Sequence, residues 1–139
     1  ATGAVEAIAS QKYELVIINL ANPDIIGHTG NIPAAITAIE ECDQGLGLVA
    51  KATLAAGGIL IVSADHGNVE RMLDDQGEVE TEHSSNPVPL IIVSANPDDK
   101  NLKLRAGGAL QDVTPTILSL LGLPKPTEMT GTSLVETRG

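Results

Sequence analysis

The chain has almost no aromatic side chains with which to build a core. Its 139 residues include no Phe, no Trp and a single Tyr, Tyr13, although hydrophobic residues make up 42% of the sequence. The interior must therefore be filled by Ile, Leu, Val and Ala, which favours a buried parallel sheet covered by helices. A chain of this length is long enough for one domain with a core of that kind.

Three short apolar runs and several periodic segments give the expected order of elements. The runs predict strands at 13–20, 59–63 and 88–93. The periodic segments predict helices at about 33–55 and 109–121, and residues 3–10 predict the end of another helix. Strands that alternate with helices are typical of α/β proteins. We therefore expect a three-layer α/β/α fold with a mostly parallel sheet, present over 1–139 as a partial domain.

Apolar side chains at intervals of three to four residues define the expected buried face of the two longer helices. This face includes Ile36 and Ile39 in the first helix, and Leu110 and Leu121 in the second. Cys42 lies on the first of these faces and is expected to be a buried small apolar residue. Because it is the single cysteine of the chain, an internal disulfide is excluded.

The chain carries a strongly negative formal charge. Eighteen carboxylates and eight basic residues leave a net charge of −10 at pH 7. This charge argues against nucleic acid as a partner, because a phosphate backbone requires a basic surface. An anionic substrate would need a metal ion or basic residues outside this chain, and a solvated acidic surface explains many of the carboxylates. No segment is typical of a signal peptide or membrane span, so we expect a cytoplasmic protein without a membrane partner.

Asp24 and His28 form the first pair of candidate metal ligands. They lie four residues apart in a predicted helical turn, so both side chains point to one side of that turn. A cation between them would be held by one carboxylate oxygen and one imidazole nitrogen. The alternative is a surface Asp–His pair that stabilises the helix by about 0.2–0.5 kcal/mol.

Asp65, His66 and His83 are candidate ligands in predicted loops. Asp65 and His66 directly follow a predicted buried strand, where α/β proteins place their sites, and Gly67 lets the backbone bend there. The alternative is that Asp65 caps a turn or helix. His83 follows a polar stretch and, taken alone, indicates little about function.

Together, the five candidate ligands indicate more than each does alone. They offer three imidazole nitrogens and two carboxylates, a mixture that suits manganese or zinc better than calcium. Five groups exceed the needs of one structural tetrahedral site, so two cations with open positions fit better. Such metal pairs polarise phosphate oxygens and activate nucleophiles, which predicts a phosphoryl-transfer enzyme.

The same residues lie in three motifs that closely resemble the C-terminal motifs of cofactor-independent phosphoglycerate mutase, a family of the alkaline phosphatase superfamily. The motifs are NPDIIGHTG at 22–30, ADHGN at 64–68 and HSSNPVP at 83–89. They occur in the family's order and spacing, and the likeness runs along essentially the whole chain. The middle motif alone would indicate only the superfamily.

The resemblance implies a function and a division of the ligands. The family interconverts 3-phosphoglycerate and 2-phosphoglycerate through a phosphoserine intermediate, usually with two Mn²⁺ ions, although Mg²⁺, Zn²⁺ or Co²⁺ are alternatives. It implies that Asp24, His28 and His83 hold one ion. It implies that Asp65 and His66 contribute to a second, incomplete site.

The chain departs from the family in what it lacks. Family members are a few times longer, and their nucleophilic serine, a further aspartate ligand and an inserted substrate-gripping domain are expected upstream, in the remainder of the same polypeptide. Ser63, Ser84 and Ser85 do not match the nucleophile position, so no catalytic nucleophile is assigned here. The chain begins inside a predicted helix without Met. We therefore expect an inactive fragment whose uncovered surface favours self-association.

Two alternatives to the mutase remain open from the sequence. One is a non-catalytic metal-binding or interaction module of the same fold, which the missing nucleophile favours. The other is a different phosphotransferase of the superfamily, such as a phosphopentomutase. The motif at 22–30 argues against that second alternative.

Overall fold

Four α-helices and one pair of strands make up the regular structure of the described residues. The structure is a computed structural model, and it describes residues 1–136 apart from the side chain of Asn101. The chain separates into two units, Ala1–Ala95 and Asn96–Gly139. The first unit contains α1 (Thr2–Ala9), α2 (Asn22–Gly27), α3 (Ile32–Ala55), β1 (Ile59–Ser63) and β2 (Leu90–Ser94), and the second contains α4 (Val113–Leu120).

The two strands pair antiparallel, which corrects the expectation of a mostly parallel sheet for this part of the protein. Ile59 of β1 lies opposite Ser94 of β2, and Ser63 lies opposite Leu90. Parallel neighbours require a long crossover, usually through a helix. The connection between β1 and β2 contains a 3-10 turn at Val69–Arg71 and isolated bridges but no α-helix, so β2 runs back beside β1. Mixed α/β content is confirmed, and the described residues contain a two-stranded sheet.

The strand predicted at 13–20 is absent from the described structure. This segment forms neither a helix nor a strand. A strand requires a hydrogen-bonded neighbour, and no described strand pairs with this segment. Its apolar side chains are consequently exposed, with Ile17 at 82% and Leu15 at 49%.

Helix α3 matches the predicted bounds closely, but its buried face coincides only in part with the predicted one. The Asn31 side chain accepts a hydrogen bond from the backbone N–H of Ala34 and so caps the helix. The buried positions are Ala35, Ala38, Val49 and Thr53. Ile36 and Ile39, which were predicted to be buried, are instead exposed at 56% and 44%. Cys42 is half-buried.

The small size of the buried side chains of α3 explains why the prediction favoured Ile36 and Ile39 over the alanines. Alanine permits close approach between helices, and α3 packs against both α1 and α2. A prediction weighted by side-chain size favours the larger isoleucines, although these lie along the edge of the buried face.

The second unit is organised around a buried carboxylate. Asp112 precedes α4 and accepts hydrogen bonds from Arg105, from the backbone N–H of Ala109 and from the backbone N–H of Thr132. The hydrogen bond from the Thr132 backbone is the largest cause that lowers the pKa of Asp112 below its usual value. The carboxylate thereby ties the start of the helix to the segment at 132, since donors from both converge on it.

The last helix is shorter than predicted. Residues 110–112 form a 3-10 turn, and the α-helix begins only at Val113. Leu110 and Leu121 were predicted to be buried but are exposed at 50% and 40%. Thr116 is fully buried, because its hydroxyl donates to the Asp112 carbonyl and accepts from the Leu134 N–H. These two hydrogen bonds, which hydrophobic spacing does not reveal, permit a threonine to be buried on the inner side of α4.

Among residues 1–136, no helix is both long enough and apolar enough to cross a membrane.

Candidate metal centre

The short helix α2 places Asp24 and His28 on one side of the chain. Pro23 lies in its first turn, where a missing N–H costs nothing. His28 follows the last helical residue, and its backbone N–H donates to the carbonyl of Asp24. The two side chains therefore meet, with His28 Nε2 3.3 Å from Asp24 Oδ1.

The antiparallel strand pair brings His83 to the same place as the loop after β1. Because Ser63 pairs with Leu90, the loop that leaves β1 and the loop that enters β2 lie at one end of the sheet. The Ser63 hydroxyl donates to the Pro89 carbonyl at 3.0 Å. The two loops also join further out, where the Ser84 N–H donates to the Gly67 carbonyl at 2.9 Å. His83 consequently lies over the Asp65–His66 loop.

Three donor atoms converge in this corner. His83 Nε2 lies 3.1 Å from Asp24 Oδ1 and 3.1 Å from His28 Nε2. Among the described residues, Asp24, His28 and His83 form a group with metal-ligand geometry. An ion with ligands at about 2.0–2.2 Å holds neighbouring donors about 3.0–3.5 Å apart. The observed spacings therefore fit a single divalent cation.

A backbone contact orients His28 for such a cation. His28 Nδ1 lies 2.7 Å from the carbonyl oxygen of Thr81. Because a carbonyl oxygen only accepts, Nδ1 carries the proton of the neutral ring and Nε2 keeps its lone pair. Nε2 is also the nitrogen that faces Asp24 and His83. A histidine that donates its other N–H to a carbonyl is the usual arrangement behind a metal ligand.

Asp65 and His66 are brought close to this corner without completing a second group. His66 Nε2 lies 3.6 Å from Asp65 Oδ1 and 4.0 Å from Asp24 Oδ1. The Asp65 side chain is 87% exposed. The His66 ring stacks on the ring of His83, with centroids 3.6 Å apart and planes 16° apart. No third donor among the described residues joins this pair within ligand distance.

Glu70 is a residue of this region that the sequence analysis missed. Its carboxylate accepts hydrogen bonds from the Ser84 hydroxyl, the Asn86 side-chain amide and the Asn68 backbone N–H. These bonds, led by that of Ser84, lower the pKa of Glu70 from 4.5 to about 2. No sequence signal marks Glu70, because the exposed donors that follow His83 could equally bond to water.

Of the three serines near the proposed ligands, Ser63 and Ser84 donate hydrogen bonds within this structure. The Ser63 hydroxyl donates to a carbonyl of the neighbouring loop, and that of Ser84 donates to Glu70. Ser85 is exposed. The expectation that none of them is a nucleophile stays a prediction.

A protein-family comparison matches residues 1–125 to the metalloenzyme superfamily. Among curated proteins, the 2,3-bisphosphoglycerate-independent phosphoglycerate mutase of Desulforudis audaxviator is 54% identical over 125 residues, which cover 90% of this chain and 24% of that protein. The enzyme of the same name from Nostoc punctiforme is 50% identical, covering 96% of this chain and 26% of its own length. The chain therefore spans about a quarter of the curated relatives that it matches.

A solved structure gives the same result. A phosphoglycerate mutase from Leishmania mexicana, crystallised at low cobalt concentration, superposes with a TM-score of 0.86 and 34% identity, over 98% of this chain and 27% of that one. The resemblance predicted from the three motifs is thereby confirmed for a portion of this enzyme.

Proposed function

Because this chain belongs to the metalloenzyme superfamily, we propose that it is the C-terminal, metal-binding portion of a phosphoglycerate mutase. That enzyme is an isomerase of glycolysis and gluconeogenesis that interconverts 3-phosphoglycerate and 2-phosphoglycerate. The observation that carries the proposal is the convergence of Asp24, His28 and His83 to within 3.3 Å of one another. The similarity to mutases along most of the chain supports the same conclusion.

The proposed site holds one whole cation position and part of another. Asp24, His28 and His83 hold the first ion, and Asp65 and His66 contribute to the second. Mn²⁺ is proposed for both, with Mg²⁺, Zn²⁺ or Co²⁺ as alternatives, because mixed nitrogen and oxygen donors suit such ions. A bound cation supplies the positive charge that polarises a phosphate oxygen.

The chain's own residues prepare that position for an anionic substrate. The carboxylate of Asp24 and the two imidazoles of His28 and His83 would leave a divalent ion with net positive charge, which a chain of net charge −10 otherwise lacks. The side chains of these residues are 37–45% exposed, so phosphoglycerate and water have access to open coordination positions.

The rest of the reaction is assigned to the remainder of a longer polypeptide. The nucleophilic serine, a further aspartate ligand and the arginines that grip phosphoglycerate are proposed to lie there. The exposed apolar segment at 13–20 would then join a larger sheet within an α/β/α domain resembling alkaline phosphatase. We place the enzyme in the cytoplasm, with neither nucleic acid nor membrane as a partner, and expect the isolated chain to self-associate through its exposed apolar surface.

A two-part activity assay tests the proposal. The 139-residue chain, loaded with Mn²⁺, should produce no 2-phosphoglycerate from 3-phosphoglycerate. A chimera of the Leishmania mexicana enzyme, in which this chain replaces the matching quarter, should be active. The same chimera with His83→Ala should lose that activity. A metal-loaded, folded chimera without activity would contradict the proposal and favour a non-catalytic metal-binding module.

A further inference from the structure

The loop that carries His83 has little regular structure to hold it. His83 lies seven residues before β2, and the segment between them contains only one isolated bridge, between Gly67 and Ser84. A ligand on such a segment keeps its position only when other groups fix the backbone. In this loop the backbone is fixed by a carboxylate outside the ligand set, that of Glu70.

The carboxylate of Glu70 accepts hydrogen bonds from the loop after β1 and from the loop before β2 at the same time. One carboxylate oxygen, Oε1, accepts from the Ser84 hydroxyl and from the Asn86 amide, the latter at 3.0 Å. The other oxygen, Oε2, accepts from the Asn68 backbone N–H at 2.7 Å. Asn68 belongs to the loop after β1, and Ser84 and Asn86 belong to the loop before β2. The carboxylate therefore bridges the two segments that bring His66 and His83 together.

We infer that Glu70 is a positioning residue, which fixes the loop of His83 against the loop of Asp65 and His66 and thereby sets how tightly the three-ligand group holds its cation. This inference rests on the proposed metal-binding function of His83. The role is distinct from that of a ligand, because Glu70 does not belong to the group with metal-ligand geometry among the described residues.

The close approach at Gly67 supports this role. A Cβ atom at position 67 would lie 2.2 Å from Ser84 Oγ and 2.4 Å from Glu70 Oε1, closer than such contacts allow. The absence of a side chain at this position therefore lets the hydroxyl and carboxylate meet directly above the backbone. Hydrogen bonds to an ionised acceptor are about twice as strong as those between neutral groups, so ionised Glu70 suits this task. Its lowered pKa agrees with that arrangement.

The first arm of the test measures metal affinity in the whole 139-residue chain. Glu70→Gln keeps the size of the side chain, but an amide cannot accept at both ends, so one of the two loops loses its bond. We expect Mn²⁺ affinity, measured by calorimetry at pH 7.5, to fall about tenfold, as for other outer-shell partners of metal sites. The Co²⁺ absorption spectrum should change in intensity, which reports altered ligand geometry.

Three further variants separate the positioning effect of Glu70 from a general effect of charge on metal affinity. Glu82→Gln removes one negative charge next to His83 without touching these hydrogen bonds, and should leave affinity within about twofold of the wild type. Ser84→Ala removes the hydroxyl that Glu70 accepts from and should resemble Glu70→Gln. Ser84→Thr restores a hydroxyl and should recover most of the lost affinity. Equal losses in Glu70→Gln and Glu82→Gln would overturn the inference.

The second arm uses no metal and therefore remains decisive if the metal-binding proposal fails. In the wild-type chain, nuclear Overhauser contacts between the stacked rings of His66 and His83 should be visible by NMR. Glu70→Gln should weaken them, while Glu82→Gln should not. If the wild type fails to bind Mn²⁺, the proposed function is wrong, and these contacts alone decide whether Glu70 positions the loop. Unchanged contacts in Glu70→Gln would contradict the inference.

Discussion

The group at Asp24, His28 and His83 and the pair at Asp65 and His66 differ in how many chain segments supply them. The first group combines a helical i, i+4 pair with a residue from a distant loop, and its donor atoms lie within 3.3 Å of one another. The second consists of adjacent residues in one loop, with 3.6 Å between its donors. Convergence of separate segments gives three donors with the spacing of a metal site, whereas neighbourhood in sequence gives only two.

The largest expected effect comes from Asp24, since its Oδ1 lies within 4.0 Å of a ring nitrogen of all three histidines. Asp24→Ala should lower Mn²⁺ affinity by at least about 100-fold, because loss of a direct ligand should exceed the typical 10- to 100-fold loss for outer-shell partners. Asp43→Ala, which removes an exposed carboxylate of α3, is the control and should bind as the wild type does. If Asp24→Ala bound Mn²⁺ as tightly as the wild type, the three-residue group would not be a metal site, and its contrast with the Asp65–His66 pair would fail.

Gly27→Ala should give the next largest loss of Mn²⁺ affinity, because it should shift the group at Asp24, His28 and His83 relative to the pair at Asp65 and His66. A Cβ atom at position 27 would lie 1.7 Å from Asn68 Oδ1, and the Asn68 side chain is buried and cannot simply swing away. Overpacking of this kind costs about 1–3 kcal/mol. We expect a lower midpoint in urea unfolding together with weaker Mn²⁺ binding.

Gly47→Ala is the matched control for this steric effect. It adds the same methyl group inside α3, where no atom lies within 4 Å. Alanine is preferred to glycine in a helix, so this variant should be stabilised by about 0.5–1 kcal/mol. If both variants lost stability equally, the close approach of Gly27 to Asn68 would not be the cause.

Substitutions of Asp65 and His66 should have smaller effects on Mn²⁺ affinity, and the two effects should differ in size. His66→Ala removes the ring that stacks on His83, and a contact of this kind is worth about 0.5–1.5 kcal/mol. We therefore expect Mn²⁺ affinity to fall about three- to tenfold in calorimetric titrations. Asp65→Ala should change it by less than about twofold, because its side chain is 87% exposed. The reverse order would indicate that the pair, rather than the three-residue group, is the principal site.

The smallest expected effect is the loss of fold stability in acid that comes from the carboxylate of Glu70. The pKa of Glu70 is lowered in the folded chain, from 4.5 to about 2. Its ionised form therefore stabilises the fold fully above pH 4.5, and this stabilisation is lost as the pH falls from 4.5 towards 2. Urea unfolding of the wild type and of Glu70→Gln should differ at pH 7 and converge near pH 2. A difference that grew on acidification would contradict the assigned sign.

Much of the local structure follows from sequence patterns, whereas the pairing between segments does not. The β-branched run at 59–63 predicts β1 with its observed bounds, and Gly57 and Gly58 mark the end of α3 near Ala55. The direction of β2 depends on whether a helix forms in the connection before it, which short polar motifs do not reveal. The predicted strand at 13–20 depends on a partner that the described residues do not supply.

The candidate site shows the same division. Residue types and i, i+4 spacing are local, so they predict Asp24 and His28 as a pair. Glu70 was missed because a single glutamate in a polar stretch looks like ordinary surface until the donors of Ser84 and Asn86 fold onto it. Whether His66 or His83 joins the three-residue group likewise depends on where the fold places each ring, which sequence spacing does not reveal.

The number of Mn²⁺ ions bound by the 139-residue chain tests the central claim most directly. Calorimetric titration at pH 7.5 should give one ion per chain for the wild type and for Asp65→Ala, and none at the same concentrations for His83→Ala. Circular dichroism of each variant should establish that it is folded. Two equal ions in the wild type, no ion at all, or retention of the ion by folded His83→Ala would contradict the account.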